Sequence, residues 1–492
     1  MTNGAQKSDP LIVPAKPANK AGAAAEPVEE SGGIERNAGL QSTVRTQSRA
    51  AVDQAQVRIR EAVNRNGEEK LTALLHHVTV DCLRWAFLQL RKDAAAGVDA
   101  VTWADYAQDL EARLADLHRR VHTGAYRAQP SRRVSIPKAD GGQRPLGIAA
   151  LEDKIVQHAV VAILTPIYEA QFLGFSYGFR PGRSQHDALD ALAFGIKAKK
   201  IGWILDADVS RFFDTLDHDW MLRFLEHRIG DRRILRLIGK WLKAGVMEQG
   251  QRSETVEGVP QGAVISPLLA NIYLHYVYDL WVDQWRKRHA HGDVIVVRYA
   301  DDTVVGFQHP RDGERFRADL ERRLAKFCLR LHPDKTRLIE FGKYAAERRA
   351  RRGLGKPETF DFLGFTHICG EKTNGKGFQL VRKTARKKLK GKLREIKSEL
   401  RRHMHASPDE QGRWLAHVMR GHFNYFAVPT NSPAIGAFRH HVIVRWIRCL
   451  RRRSQRGRMT WARMQTLIDR YLPRSKILHP WPEARFRVKY SR

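Results

Sequence analysis

Val294-Ile295-Val296-Val297-Arg298-Tyr299-Ala300-Asp301-Asp302-Thr303-Val304-Val305-Gly306-Phe307 sets two apolar, β-prone runs about a tight acidic turn. The pattern predicts a hairpin, with strands at Val294 to Arg298 and Thr303 to Phe307 and adjacent carboxylates at the tip. Asp is common in surface turns for local hydrogen-bonding reasons, so an isolated Asp-Asp carries little meaning. Held on a rigid hairpin, however, adjacent carboxylates suit a hard divalent cation such as Mg²⁺, which binds through one or two protein carboxylates plus substrate phosphates. The rest of the chain decides between these readings.

Upstream lies Trp203-Ile204-Leu205-Asp206-Ala207-Asp208-Val209-Ser210-Arg211-Phe212-Phe213-Asp214. Its apolar run predicts a buried strand that delivers Asp208 to its C-terminal end, a third carboxylate beside Asp301 and Asp302. Two-metal chemistry needs carboxylates from more than one element, holding ions roughly 3.5–4 Å apart against the attacking and leaving oxygens of a phosphoryl transfer. Asp206, Asp214, Asp217 and Asp219 compete for that role, and each also reads as a turn or helix cap. Between these elements runs Gly258-Val259-Pro260-Gln261-Gly262-Ala263-Val264-Ile265-Ser266-Pro267-Leu268-Leu269-Ala270-Asn271-Ile272-Tyr273-Leu274. Gly and Pro around Gln261 specify a loop that a ligand can approach closely. Ser266-Pro267 then open an apolar helix, with Ser expected as N-cap and Pro at the first position. A polar loop feeding a buried helix suits a nucleotide-pairing pocket.

In this order the motifs resemble the group II intron-encoded reverse transcriptases, also called maturases, from about Leu71 to the C-terminus. Ile136-Pro137-Lys138 with Gly142-Gln143-Arg144-Pro145-Leu146-Gly147-Ile148 resembles the fingers motif of that family. Phe175-Ser176-Tyr177-Gly178-Phe179-Arg180-Pro181-Gly182-Arg183-Ser184 resembles the motif after it. The resemblance implies an α/β right-hand polymerase whose catalytic, Mg²⁺-holding residues are Asp208, Asp301 and Asp302. It also implies that Lys138 and Arg144 hold the incoming triphosphate, in keeping with the usual phosphate partners. Phe213, the fifth residue after Asp208, matches the bulky position that excludes a ribose 2′-hydroxyl, and Gln261 matches the glutamine lining the nucleotide pocket. Lys335, in Leu331-His332-Pro333-Asp334-Lys335-Thr336, matches a lysine near the triphosphate; Phe362-Leu363-Gly364-Phe365 matches the primer-gripping hairpin. The partners so implied are dNTPs, an RNA template with a DNA primer, and the parent group II intron RNA, whose splicing and mobility the protein would assist.

The formal charge of +33 and pI near 10.3 describe a polyanion's partner. From Val381 to Arg492 the chain has 29 Lys or Arg against six Asp or Glu, so +23 of the +33 lies beyond the primer grip. Arg382 to Arg402 predicts a basic helix whose Leu389, Leu393, Ile396 and Leu400 pack inward while the cations face out. Arg386, Lys387, Lys388 and Lys390 on that helix, with Arg451, Arg452 and Arg453 further on, are the candidate RNA-binding residues. Arg420-Gly421-His422-Phe423-Asn424-Tyr425-Phe426 and Ile477-Leu478-His479-Pro480-Trp481-Pro482 resemble the maturase (X) segment of the family. Phe423, Tyr425, Phe426 and Trp446 read as packing between helices in preference to stacking on bases.

The domain reading is a disordered segment over residues 1–50, fingers over 51–200, palm over 201–375, and thumb with X domain over 376–492. Residues 51–123 read mostly as helix, broken at Ala94 to Asp99. The N-terminus lacks the apolar core of a secretory signal and the Arg of a transit peptide, and no apolar run is long enough for a membrane span. A cytoplasmic, nucleic-acid-associated bacterial protein is expected. Cys82, Cys328, Cys369 and Cys449 show no paired spacing, so neither a disulfide framework nor the zinc-containing HNH endonuclease of many relatives is expected. Three rivals stay open. A retron or CRISPR-associated reverse transcriptase without maturase role lacks the X-like segment; a splicing-only maturase with an idle polymerase sits badly with intact aspartates; an RNA-dependent RNA polymerase sits badly with Phe213.

Overall fold

The computed structural model describes residues 42–489 apart from 68, 138–142, 249–250, 254–256, 373–374, 376 and 454–458. Lys138 and residues 1–41 therefore lie outside the described residues. The expectation of disorder up to residue 50 needs correcting, because helix Ser42–Asn66 has already begun. Ser48, Val52, Ile59 and Val63 are buried along one side of it, where it packs on helices Val80–Gln89 and Leu151–Glu169. From residue 51 on it agrees with the expected helix, and residues 42–50 extend it toward the N-terminus.

The central sheet has four antiparallel strands in the order Val294–Tyr299, Asp302–Phe307, Trp203–Asp208, Arg337–Glu340. Alternation divides their side chains between two faces. Leu205, Val296, Val305 and Phe307 join Phe316 and Leu320 of helix Pro310–Ala325 in the larger core. Ile204, Val304, Ile295 and Val297 face helix Gln185–Ala198 in a second core that also takes in Phe360, Phe362 and Phe365. Covered on both faces, these strands are nearly continuous apolar runs. Asp206, Asp208 and Asp302 share the parity of Ile204 and Val304, so the carboxylates emerge where that second face runs out of cover.

A second sheet orders Gln143–Ile148, Ser131–Pro137, Val246–Glu248 and Gln251–Ser253, with Ser131 beside Val246 in parallel. This sheet thus joins two strands from the span read as fingers to two from the span read as palm. A three-stranded sheet, Phe378–Thr384, Phe365–Glu371 and Phe360–Phe362, leads into the C-terminal helices Arg386–Arg402, Pro408–Phe426, Ser432–Arg451 and Trp461–Tyr471. These enclose their own core around Trp446, in which Leu393, Ile396 and Leu400 are buried and Leu389 sits at the edge. Phe423, Tyr425, Phe426 and Trp446 are buried too, so their rings pack between elements. Among the described residues no helix is long and apolar enough to cross a membrane.

Candidate active site

Tyr299 and Asp302 are the last pair of the hairpin, which leaves Ala300 and Asp301 as a two-residue turn. Ala300 has φ +55°, a left-handed conformation that is costly for a residue with a Cβ and persists only where the surroundings fix it. Arg298, fully buried, does the fixing. Its Nη1 donates to the Ala300 carbonyl at 2.9 Å and to Asn271 Oδ1 at 3.0 Å. Its Nε donates to Asp279 Oδ1 at 2.7 Å, and its Nη2 to Asp279 Oδ2 at 2.5 Å and Ser176 Oγ at 2.7 Å. Asp279 is equally buried and arrives on a π-helical turn, His275–Asp279, that continues helix Ser266–Leu274. Asn271 in turn donates to the Gly178 carbonyl at 2.7 Å. A Cβ on Gly178 would land on the Ala300 amide, which is why that approach requires glycine. Sequence reasoning missed this clamp; its one visible signal is a lone Arg at the end of an apolar strand, next to the acidic turn.

Asp208 stands directly opposite Asp302 across the antiparallel pair, with Asp301 at the turn and Asp206 one same-face step behind. Burial pushes the Asp302 carboxyl well above its ordinary value, and repulsion from Asp206, Asp301 and Asp208 pushes the same way. The Leu363 backbone N–H opposes these. Asp206 is raised to about 7 by burial, with Arg337 opposing and Asp208 and Asp361 adding to the rise. It is thus neither a turn nor a cap residue but a fourth carboxylate of the cluster. Lys335 Nζ donates to Asp208 Oδ2 at 2.6 Å, while the His332 amide donates to the Asp208 carbonyl at 2.7 Å. The lysine expected near a triphosphate therefore lies on the first carboxylate.

Among the described residues no group of three or more His, Cys, Asp or Glu side chains is placed to hold a metal ion by itself. An all-oxygen set of mutually repelling carboxylates at the edge of a cleft fits a hard divalent cation that takes the rest of its ligands from substrate phosphates and water.

Phe212 is buried in the core, whereas Phe213 is half-buried and lines a cavity of about 240 Å³ together with Gln261, Phe179, Trp103 and Lys154. The Gln261 loop is stitched to its surroundings, Val259 N to the Phe213 carbonyl at 2.8 Å and Gly147 N to the Gln261 carbonyl at 2.6 Å. Ser266 is the first residue of its helix and not the expected N-cap: its hydroxyl donates back to the Pro260 carbonyl at 2.8 Å, fixing the loop. Arg144 occupies strand Gln143–Ile148 opposite Ile136. Leu363 (φ +47°) and Gly364 (φ +78°) form the turn between Phe362 and Phe365, and the Tyr425 hydroxyl donates to the Leu363 carbonyl at 2.7 Å. The C-terminal helices thereby touch the turn that bonds Asp302.

Arg386, Lys387, Lys388 and Lys390 are all exposed on one helix. Of the later run, Arg451 and Arg452 are exposed and Arg453 is half-buried; Arg451 Nε donates to the Met459 carbonyl at 3.1 Å and Arg453 to the Ala406 carbonyl, so both also tie neighbouring segments together.

Carboxylates on a hairpin turn and on the neighbouring strand, beside a cavity walled by an aromatic ring and a Gln-bearing loop, define the palm of a nucleic-acid polymerase. Residues 136–367 match the family model described as reverse transcriptase (RNA-dependent DNA polymerase). The chain is 35% identical to protein YkfC of Escherichia coli over 300 residues, 52% of this chain and 77% of YkfC. It is 43% identical over 153 residues to the group II intron-encoded protein LtrA of Lactococcus lactis, 31% of this chain and 25% of LtrA. Over 92 residues it is 34% identical to nuclear intron maturase 1, mitochondrial, of Arabidopsis thaliana, 19% of this chain and 13% of that protein. The chain belongs to the reverse transcriptase family and is similar in part to proteins encoded by group II introns. The matched parts cover most of YkfC but a quarter or less of LtrA and of the plant maturase.

Proposed function

We propose that the protein copies RNA into DNA and also binds its parent group II intron RNA, assisting splicing and mobility. The observation that carries the first part is the facing of Asp208 and Asp302 across one strand pair, with Asp301 at the turn beside the Phe213 and Gln261 cavity. Asp208, Asp301 and Asp302 would hold Mg²⁺, which when bound neutralises charge on the attacking 3′-oxygen and on the leaving pyrophosphate. The protein's own part is positioning. The Arg298 clamp fixes the turn that carries Asp301 and Asp302, Phe213 bounds the sugar, Gln261 borders the base, and Leu363-Gly364 sets the primer end against Asp302. Lys335 occupies the carboxylate of Asp208 until substrate phosphate competes for it. Arg144, with Lys138 outside the described residues, is assigned to the triphosphate by the family resemblance alone.

The second part rests on charge, since the helices after Val381 carry most of the net positive charge and present Arg386, Lys387, Lys388 and Lys390 to solvent. In this reading fingers span about 51–200, palm 201–375, and thumb with maturase X domain 376–492. Asp301→Ala with Asp302→Ala is expected to abolish divalent-dependent cDNA synthesis while leaving intron RNA affinity within a few fold. Equal loss of both activities would show that the hairpin belongs to the RNA site and would overturn the division of labour.

A further inference from the structure

Away from the carboxylates, helices His218–Glu226 and Arg232–Leu242 and the strand pair after them enclose an open groove of about 860 Å³. Among the described residues Arg127, Arg232, Arg236, Lys240, Lys243 and Arg252 line it, against one carboxylate, that of Glu226. The sequence produces this locally. Ile234, Leu237, Ile238, Trp241 and Leu242 bury one face of the second helix, which turns Arg232, Arg236 and Lys243 out to water. Arg127 is brought in from the segment leading to strand Ser131–Pro137 and is exposed as well. Among the described residues none of these four has an acidic partner, although cations elsewhere on this surface commonly do. Lys240 is pinned to the carbonyls of Tyr126 and Gly124, so its charge is fixed in the wall. Arg236 and Arg127 repel it, adding to burial in lowering its affinity for a proton. Cations crowded in a concave, low-dielectric wall without counter-charges focus a positive potential that a polyanion would relieve.

One short stretch of chain runs from the wall of the groove to the wall of a cleft at the nucleotide site. Ala244 lines the groove, and Val246, two residues on, lines a second cleft together with Phe213, Gln261 and Arg133. We propose that this groove holds the phosphate backbone of the unpaired RNA template as it approaches the nucleotide pocket. The proposal rests on the polymerase reading above and deepens it by giving the template strand its own surface, separate from the basic helix after Val381. Among the described residues the lining of the groove, with Leu222, Leu235 and Gly239 between the cations, includes no aromatic ring on which a base could stack. Recognition is therefore of phosphate, with no preference for sequence.

The test compares primer–templates that share one duplex but carry either a long or a very short single-stranded 5′ RNA extension. For the wild-type protein, the long extension should bind more tightly and with a steeper salt dependence. Arg232→Gln, Arg236→Gln and Lys243→Gln together should erase that advantage and flatten the long-template salt slope by about two units, from three lost contacts at −0.7 each. Extension on the short template should be unchanged, which also reports that the variant is folded. The control removes three exposed cations elsewhere, Arg288→Gln, Arg311→Gln and Lys326→Gln, and should keep the advantage. An advantage that persists in the groove variant, or one lost equally in the control, overturns the proposal. So does weakened binding of intron RNA with the extension advantage intact, since the groove would then be an intron-RNA surface. Failure of the wild type to extend any primer would strike the polymerase reading itself, a result distinct from all of these.

Discussion

Phe212 and Phe213 are adjacent in sequence and perform different tasks, because a short 3₁₀ turn, Phe212–Asp214, points one ring into the core and the other at the cavity. Their rings meet edge to face at 5.3 Å, so the buried one braces the other. Phe213→Ala should relax sugar discrimination, raising incorporation of ribonucleotides relative to deoxynucleotides by roughly 10- to 100-fold, the range typical of one lost apolar wall contact. A purely structural phenylalanine would behave otherwise, since its truncation costs about 3–5 kcal/mol of stability and lowers use of both substrates alike. Single-nucleotide extension with each substrate separates the outcomes. A change in sugar choice from Phe212→Ala and none from Phe213→Ala would show that the wrong ring had been assigned.

At the scale of one element, helix Arg386–Arg402 shows how burial and charge are divided. Leu393, Ile396 and Leu400 anchor it against helix Ser432–Arg451, and the Arg445 Nε bond to the Leu393 carbonyl at 3.2 Å ties the two together. The anchored face leaves Arg386, Lys387, Lys388 and Lys390 free to act collectively. Replacing all four with Gln should flatten the salt slope of intron RNA binding by about three units. Splicing assistance should fall, while extension on a short generic template persists at moderate salt. Single substitutions should do little, because exposed charges are individually screened. Filter binding at several salt concentrations beside a cDNA assay makes the comparison, and an unchanged slope would remove this helix from the RNA surface.

Across the whole molecule, several buried histidines set a limit on acid stability. Burial lowers His367 and His422 to about 3, and His158 and His275 to about 4, from an ordinary value of 6.5. These rings stay neutral in the folded protein and take up protons once unfolded. The stability they represent is complete above 6.5 and is lost as pH falls toward the folded values. His367, with no exposed surface and stacked on Phe360 at 4.7 Å, is the cleanest case. His367→Phe should lose less stability than the wild type between about pH 7 and pH 5, by on the order of 2 kcal/mol. Urea unfolding at both pH values measures the difference, and parallel losses would refute it.

Residue order alone foretells the hairpin of Val294–Tyr299 and Asp302–Phe307, the strand that ends at Asp208, the loop around Gln261 and the inward stripe of the basic helix. Each is a local matter of alternation, turn chemistry or helical spacing, all readable within a few residues. That Asp208 faces Asp302, that Asp206 shares their face, and that Lys335 closes on Asp208 emerge from the folded chain. Those relations depend on hydrogen-bond register between strands far apart in the chain, and a slip of one residue would send every side chain to the opposite face. The Arg298 clamp likewise exists only because a π-helical turn brings Asp279 beneath a hairpin whose sequence does not mention it. The cationic groove gathers Arg127 to Arg232 and Arg236 by folding alone, since charges that repel one another are brought together only by the burial of apolar faces behind them.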